Sequence, residues 1–107
     1  MSKIQLSKLA KKVIHQSIRE SNIPKNEGLR LEEAGGVLSL TTDIPKKGDR
    51  IIKRDGNIVL IIHRSLEEKM GGAYIDIKIL RGEPKLVVVG EKDANKIEIE
   101  HTDNISF

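Results

Sequence analysis

The spacing of apolar residues changes along the chain from a helical period to a strand period. Between residues 7 and 20, in SKLAKKVIHQSIRE, one helix face is marked by side chains that recur at three- and four-residue intervals: Leu9, Ala10, Val13, Ile14, Ser17 and Ile18. Ser7 stands at the N-cap position of this segment, and Pro24 and Gly28 follow its end. From residue 29 onward the apolar residues alternate or form short runs. The pattern therefore predicts one helix followed by strands.

The strand pattern recurs in LRLEE, GVLSLTTD, RIIKRDGNIVLII, AYIDIKIL, KLVVVG and NKIEIEH. Asp55-Gly56 predicts a tight hairpin within the third of these segments, and Ser65 is expected to cap a short helix in SLEEKMGG. The sequence predicts an α+β fold in which the N-terminal helix packs on short, mostly antiparallel strands that curl into a sandwich or half-barrel. We expect one domain over residues 1–107, with residues 101–107 as a flexible tail.

Two adjacent glycines, Gly35 and Gly36, interrupt the strand pattern between Leu29 and Asp43. Glycine weakens the interior of a strand, so a pair of glycines there needs a physical reason. The pair indicates either a bend in the chain or a place where the backbone closely approaches another group.

Composition excludes several classes of function. The 107 residues contain no cysteine, which excludes disulfides, thiolate metal sites, a cysteine nucleophile and an iron–sulfur cluster held by this chain's own thiolates. Tyr74 and Phe107 are the only aromatic residues, so the core is expected to be aliphatic. The net charge of +3 permits an acidic partner without requiring one.

The distribution of apolar residues predicts a protein of the cytoplasm. The longest apolar run, Ile58 to Ile62, is far too short to cross a bilayer. The lysine-rich start of the chain lacks the apolar segment of a secretory signal. We therefore expect no membrane partner.

Three histidines are candidates for chemistry, and each has a plain structural interpretation. His15 lies beside the apolar stripe of the helix and is expected to be exposed. His63 lies between an apolar run and the predicted short helix, which favours a structural or surface role. His101, Glu98 and Glu100 could bind a metal ion, because imidazole and carboxylate suit hard or borderline metals. The alternation with Ile97 and Ile99 favours a polar strand face instead.

The sequence contains no arrangement typical of an enzyme. It has no serine in a nucleophile elbow, no phosphate loop and no dinucleotide fingerprint. Glu67 and Glu68 are adjacent and point in different directions on a helix, so they do not form a catalytic pair. We therefore expect no enzymatic activity.

One basic cluster could contact phosphates in a nucleic acid. Three aspartates are interleaved with it, and it has no aromatic residue on which a base could stack. We therefore favour a solvated surface. The cluster comprises Lys46, Lys47, Arg50, Lys53 and Arg54.

The order of these segments resembles the A-type iron–sulfur carrier family, also called HesB/IscA-like. IQLSKLAKKVIHQSI is similar to the family's opening strand and helix, and GLRLEEAGGVLSLT is similar to its L-R-V-x-x-x-G-G-G-C-S-G. The segment from Ile44 to Ile77 follows the pattern that ends in S-L-x-x-L-x-G-x-x-I-D. The residues in register there are Ser65, Leu66, Gly72, Ile75 and Asp76.

The departures from this family pattern concern its metal ligands. In the family, the glycine-rich stretch ends in a cysteine and a C-G-C motif lies near the C-terminus; the three thiolates hold iron or an iron–sulfur cluster. Leu38, followed by Ser39, stands at the first cysteine position. Counting from Ala94 places Glu98 and Glu100 at the C-G-C positions, whereas counting back from the C-terminus gives other positions. By either count the thiols are absent, so the resemblance implies the family fold without its thiolate site.

Three functions follow as expectations. The first is a non-catalytic accessory or protein-interaction module without a cofactor. The resemblance implies that its partner is a protein of iron–sulfur or sulfur metabolism, and we expect a monomer or homodimer. The second is a mononuclear metal carrier, with iron held by Glu98, Glu100 and His101. The third is a weak nucleic-acid-binding module that uses the basic cluster.

Overall fold

The structure, a computed structural model, describes residues 3–89 and 96–101. Two helices and nine strands form in these ranges. In chain order they are β1 (Gln5–Leu6), α1 (Lys8–Glu20), β2 (Gly28–Ala34), β3 (Val37–Asp43), β4 (Asp49–Arg54), β5 (Asn57–His63), α2 (Arg64–Lys69), β6 (Tyr74–Leu80), β7 (Glu83–Val89), β8 (Lys96–Glu98) and β9 (Glu100–His101). Residues 102–107, most of the predicted flexible tail, lie outside the described ranges.

The strands form two open sheets. One has the order β1-β6-β7-β8 and the other has the order β4-β5-β2-β3-β9. The hairpin pairs and β7–β8 are antiparallel, whereas β1–β6, β2–β5 and β3–β9 are parallel. Helix α1 packs on strands of both sheets. The predicted α+β architecture, with a helix on short and mostly antiparallel strands, is confirmed.

Two-residue turns join the three hairpins β2–β3, β4–β5 and β6–β7. Both turn residues have positive φ in each case, as in the type I′ turns that match the twist of paired strands. Asp55-Gly56 forms the predicted turn. Gly35 and Gly36 form another, with φ of 59° and 84°, and no described heavy atom outside the glycine and its two chain neighbours lies within 4 Å of the place where a Cβ would stand on either. The glycine pair therefore makes a bend and does not admit a close approach.

Helix α1 begins at the predicted cap. The Ser7 hydroxyl accepts the Ala10 N–H at 3.0 Å and donates to Asp76 Oδ1 at 2.8 Å, which ties the start of the helix to β6. Ala10, Ile14 and Ile18 are buried, as predicted. Leu9, which the pattern also placed on the buried stripe, is exposed, because it lies about 100° around the helix from Ala10.

The core is aliphatic, as the composition predicted. It is built from Ile, Leu, Val and Ala side chains of α1 and of both sheets. In the five-stranded sheet, the central strands contribute buried leucines: Leu29 and Leu31 from β2, Leu38 and Leu40 from β3, and Leu60 from β5.

The N-cap of α2 differs from the predicted one. His63, rather than Ser65, occupies the cap, and its Nδ1 accepts the Ser65 N–H at 3.2 Å. The imidazole replaces the expected hydroxyl because the cap lies two residues earlier than predicted and the helix begins at Arg64. His63 therefore has the structural role that was expected of it. Neither helix in the described ranges is long and apolar enough to span a membrane.

Candidate functional site

The first cysteine position of the family pattern lies inside the core. Leu38 is 2% exposed and belongs to the main hydrophobic cluster, with Leu40 on the same face of β3. Ser39 points to the opposite face and is half-buried. A side chain at position 38 is therefore directed into packed aliphatic groups, where a ligand atom would be closed off from an incoming metal ion.

The C-terminal strands pass from one sheet to the other beside this position. In β8, Glu98 pairs with Val87 of the four-stranded sheet. In β9, Glu100 pairs with Ser39 of the five-stranded sheet. Between them Ile99 is buried, and its N–H donates to the Leu86 carbonyl at 2.9 Å. The crossover at Ile99 thus brings the backbone of the predicted metal-ligating segment next to β3.

The predicted metal ligands are only partly located. Glu98 has an exposed side chain, and the backbones of Glu100 and His101 lie beside Ser39 and Leu40. The side chains of Glu100 and His101 lie outside the part of the chain that the structure describes. Among the side chains it does describe, no three histidine, aspartate or glutamate residues cluster closely enough to hold a metal ion. The three-residue ligand set therefore stays a prediction.

A largely buried cluster of charges, which we call the Arg30 clamp, is formed by Arg30, Asp43 and Asp49. The Arg30 guanidinium donates to both oxygens of Asp49, from Nη1 at 2.9 Å and from Nη2 at 2.6 Å, and to Asp43 Oδ2 at 2.7 Å. It also donates to the Ile44 carbonyl at 3.2 Å, while the Lys46 N–H donates to Asp49 at 2.6 Å. The clamp fixes the loop between β3 and β4 against β2.

The clamp shifts the ionisation of its members. Hydrogen bonds from Arg30 lower the pKa of Asp49 to about 2 and hold the pKa of Asp43 below its usual range. The same contacts, Asp49 first, hold the pKa of the Arg30 guanidinium above its usual range, against its desolvation. A carboxylate with a lowered folded-state pKa stabilises the fold above its unfolded pKa of about 4, and this contribution is lost as pH falls towards 2.

A second ion pair joins β4 and α2 and holds the backbone of Ile4, the residue before β1. The Arg50 guanidinium binds Glu67 in a bidentate manner and donates to the Ile4 carbonyl at 2.7 Å, while the Ile4 N–H donates to Glu67 at 2.9 Å. The Arg50 hydrogen bond is the main cause that lowers the pKa of Glu67. Glu67 is therefore a structural anion.

The predicted basic cluster does not form one continuous surface. Arg50 is held by Glu67, and Lys46 lies 3.5 Å from Asp43 in an ion pair. Lys47 and Lys53 are exposed, whereas Arg54 turns towards α1. Ion pairing, and the alternation of side chains between the two faces of β4, therefore separate basic residues that are neighbours in the sequence.

The residues that match the family's S-L-x-x-L-x-G-x-x-I-D pattern have structural roles. Leu66 and Ile75 are buried in the core. The Ser65 hydroxyl lies 2.8 Å from His63 Nδ1 at the start of α2. Asp76 accepts from the Ser7 hydroxyl and from the Ile77 N–H. The side chains described in this part of the pattern therefore stabilise the fold.

The expectation that His15 is exposed is wrong. The imidazole is 6% exposed, and its Nε2 lies 3.2 Å from the Asn57 amide nitrogen. Burial arises because the β4–β5 hairpin covers the flank of α1. The sequence pattern of the helix gives no information about this tertiary contact.

His15 lies at the wall of a cleft between α1 and the β4–β5 hairpin, which we call the helix–hairpin cleft. Its volume is about 540 Å³. Helix and hairpin are far apart in the sequence, so no local motif indicates the cleft. The residues that line it are Lys12, His15, Gln16, Arg19, Glu20, Arg54 and Asp55.

Comparison with known proteins identifies the fold. No protein-family model matches the sequence, and no curated protein matches it. Among solved structures, the chain is similar to the crystal structure of Escherichia coli SufA, described as involved in the biosynthesis of iron–sulfur clusters. The TM-score is 0.63 at 19% sequence identity, over 84% of this chain and 87% of SufA. The chain therefore shares the fold of SufA, as the resemblance to A-type carriers implied.

Proposed function

We propose that this protein is a non-catalytic accessory or protein-interaction module on an iron–sulfur carrier fold. The observation that carries the proposal is the burial of Leu38. The position that the family pattern gives to a metal-binding cysteine is occupied by a core leucine. The fold is retained, and the side chain that would serve carrier chemistry now stabilises that fold.

The chain has no cysteine and therefore no thiolate ligand of its own. It cannot hold an iron–sulfur cluster in the way that the family does, through its own thiolates. The polar residues of the motif and the two buried ion pairs contribute to the architecture. Because the fold is retained and the thiolates are absent, we assign the function to the protein surface, where a partner would bind. The likeness to SufA supports a partner from iron–sulfur or sulfur metabolism.

The partner class is tested by capture with purified components. The immobilised protein is expected to retain at least one purified cluster-assembly or sulfur-transfer protein from the same organism at micromolar concentration. A globular protein of similar size and charge, immobilised in parallel, is the control. If no component is retained above this control, the proposed partner class is wrong.

A mononuclear metal carrier is the second candidate, and the pairing of β9 with β3 favours it. This pairing places the backbone of Glu100 beside Ser39, next to the first cysteine position, and Glu98 is exposed nearby in the sequence. Glu98, Glu100 and His101 would supply oxygen and nitrogen ligands, completed by a second subunit. Such a donor set favours a single iron or another divalent ion over a cluster.

A further inference from the structure

We infer that the helix–hairpin cleft binds a small molecule that carries phosphate groups. The inference rests on the cleft itself and goes beyond the proposed interaction with a protein. The volume of about 540 Å³ is in the range of small-molecule sites. Rigid elements form the walls, with α1 on one side and the β4–β5 hairpin on the other.

Three cationic side chains line the cleft. Lys12 and Arg19 are seven residues apart on α1, which places them on one face of the helix, and Arg54 comes from the opposite wall at the end of β4. None of the three takes part in an ion pair among the residues that the structure describes. Arg30 and Arg50, by contrast, are fully engaged with carboxylates of the fold. The cleft therefore holds positive charge that the fold itself does not neutralise.

The acidic residues that line the cleft do not cancel its excess of positive charge. Glu20 accepts a hydrogen bond from the Gln16 amide at 3.1 Å, one turn back on the same helix. Asp55 occupies the hairpin turn, with a φ of 52°. Two carboxylates face three cations, so an incoming phosphate is attracted. Guanidinium groups suit phosphate because they donate two parallel hydrogen bonds.

The remaining polar group of the cleft is held in place. The Asn57 amide contacts His15 Nε2 at 3.2 Å, which orients the buried imidazole. A second hollow, of about 630 Å³, adjoins the cleft and shares His15, Arg19 and Asp55 with it. Its other lining residues include Ile23 and Ile58. The phosphate end of a ligand would lie between the cations, and this less polar hollow gives room for an organic part.

The observations favour a small phosphorylated molecule over a nucleic acid. Tyr74 is the only phenylalanine, tyrosine or tryptophan that the structure describes, and it lines neither the cleft nor the adjoining hollow, so the described walls offer no such ring on which a base could stack. The charges also converge within one cleft and do not follow a long surface track. A compact ligand with one or a few phosphates matches this arrangement.

Calorimetric titration of the full-length protein with ATP and with tripolyphosphate tests the inference. We expect both probes to bind at about 50 mM salt, tripolyphosphate to displace ATP, and both affinities to fall as salt is raised. Arg19→Gln and Arg54→Gln should each weaken binding by about tenfold or more, because each removes a charge-assisted hydrogen bond. Lys53→Gln, which removes a neighbouring exposed charge outside the cleft, should change the affinity by less than about twofold.

Several results would overturn the inference. Binding of neither probe excludes a phosphate site, and equal weakening by Lys53→Gln and Arg54→Gln means that overall charge attracts the probes. A single-stranded oligonucleotide that binds more tightly than both probes, with the same dependence on Arg54, identifies a nucleic-acid surface instead. Circular dichroism confirms that each variant is folded before its affinity is interpreted.

Discussion

Replacing Arg30 by methionine is expected to lower the free energy of unfolding by about 3 kcal/mol. Methionine keeps much of the apolar length of arginine and removes its charge and donors. Asp49, whose side chain is 0% exposed, loses both of its bonds to the guanidinium and keeps only the Lys46 N–H. A buried carboxylate without its cation is costly, and the loop after β3 loses its anchor at the same time. Urea denaturation at pH 7, followed by circular dichroism, measures the change.

Lys69→Met is the matched control for this variant. It breaks the ion pair between Lys69 and Glu33, in which the lysine side chain is 62% exposed, and it should leave the urea midpoint nearly unchanged. The destabilisation by Arg30→Met should also be largest above pH 4 and should decrease towards pH 2, because Asp49 then becomes protonated in the folded protein too. Equal small effects of the two substitutions at pH 7 would show that the Arg30 clamp does not stabilise the fold.

A cysteine placed at position 38 is expected to be protected from a water-soluble thiol reagent by at least about a hundredfold relative to one at position 37. The thiol in Leu38→Cys points into the core and reacts only when the fold opens. Val37→Cys is the control on the same strand, where the native side chain is 47% exposed. The chain has no other cysteine, so each variant reports on a single site. The rate of modification in native buffer is the measurement.

The same pair of variants shows whether position 38 could still serve as a metal ligand. We expect Leu38→Cys to bind no more ferrous iron than the unmodified protein, because the thiol is shut inside the aliphatic core. Rapid modification in the native state, at the rate of Val37→Cys, would mean that the side chain at position 38 faces solvent. Denaturant should restore equal reactivity in both variants, which confirms that both thiols are intact.

Local sequence patterns correctly predicted the features of the fold that depend on residues adjacent in the chain. Ser7 caps α1 as predicted, and Asp55-Gly56 makes the predicted turn, because both features depend on residues adjacent in the chain. The ordered motifs also predicted the shared fold. The glycine pair allowed two interpretations, and only the paired strands on either side show that its role is a bend.

The wrong predictions concern residues at contacts between segments that are distant in the sequence. His15 is buried because the β4–β5 hairpin covers it, and no property of the helix sequence shows that contact. Arg54 was grouped with its neighbours in the sequence, whereas the fold directs it towards Lys12 and Arg19. Among the residues that the structure describes, several other lysines also take part in no ion pair, so charge alone could not identify the cations that converge. The cleft depends on the tertiary packing of α1 against the hairpin.

Under the proposed function, the burial of Leu38 accounts for a fold that is retained without carrier chemistry. In the family pattern, a metal-binding cysteine interrupts the glycine-rich segment, whereas here Leu38 and Leu40 continue the core along β3. Burial of one leucine side chain contributes roughly 2 kcal/mol. The leucine at position 38 therefore stabilises the fold by packing, whereas the family pattern has a metal-binding cysteine there.

The iron content of the protein tests the central claim most directly. The measurement is elemental analysis with a visible absorption spectrum, on protein purified without oxygen from iron-replete cells. We predict no bound iron and no visible band, because the thiolate ligands are absent and position 38 is closed. Iron at about one per chain or per dimer would contradict the account, and loss of that iron on replacing Glu98 and Glu100 would identify a carboxylate site.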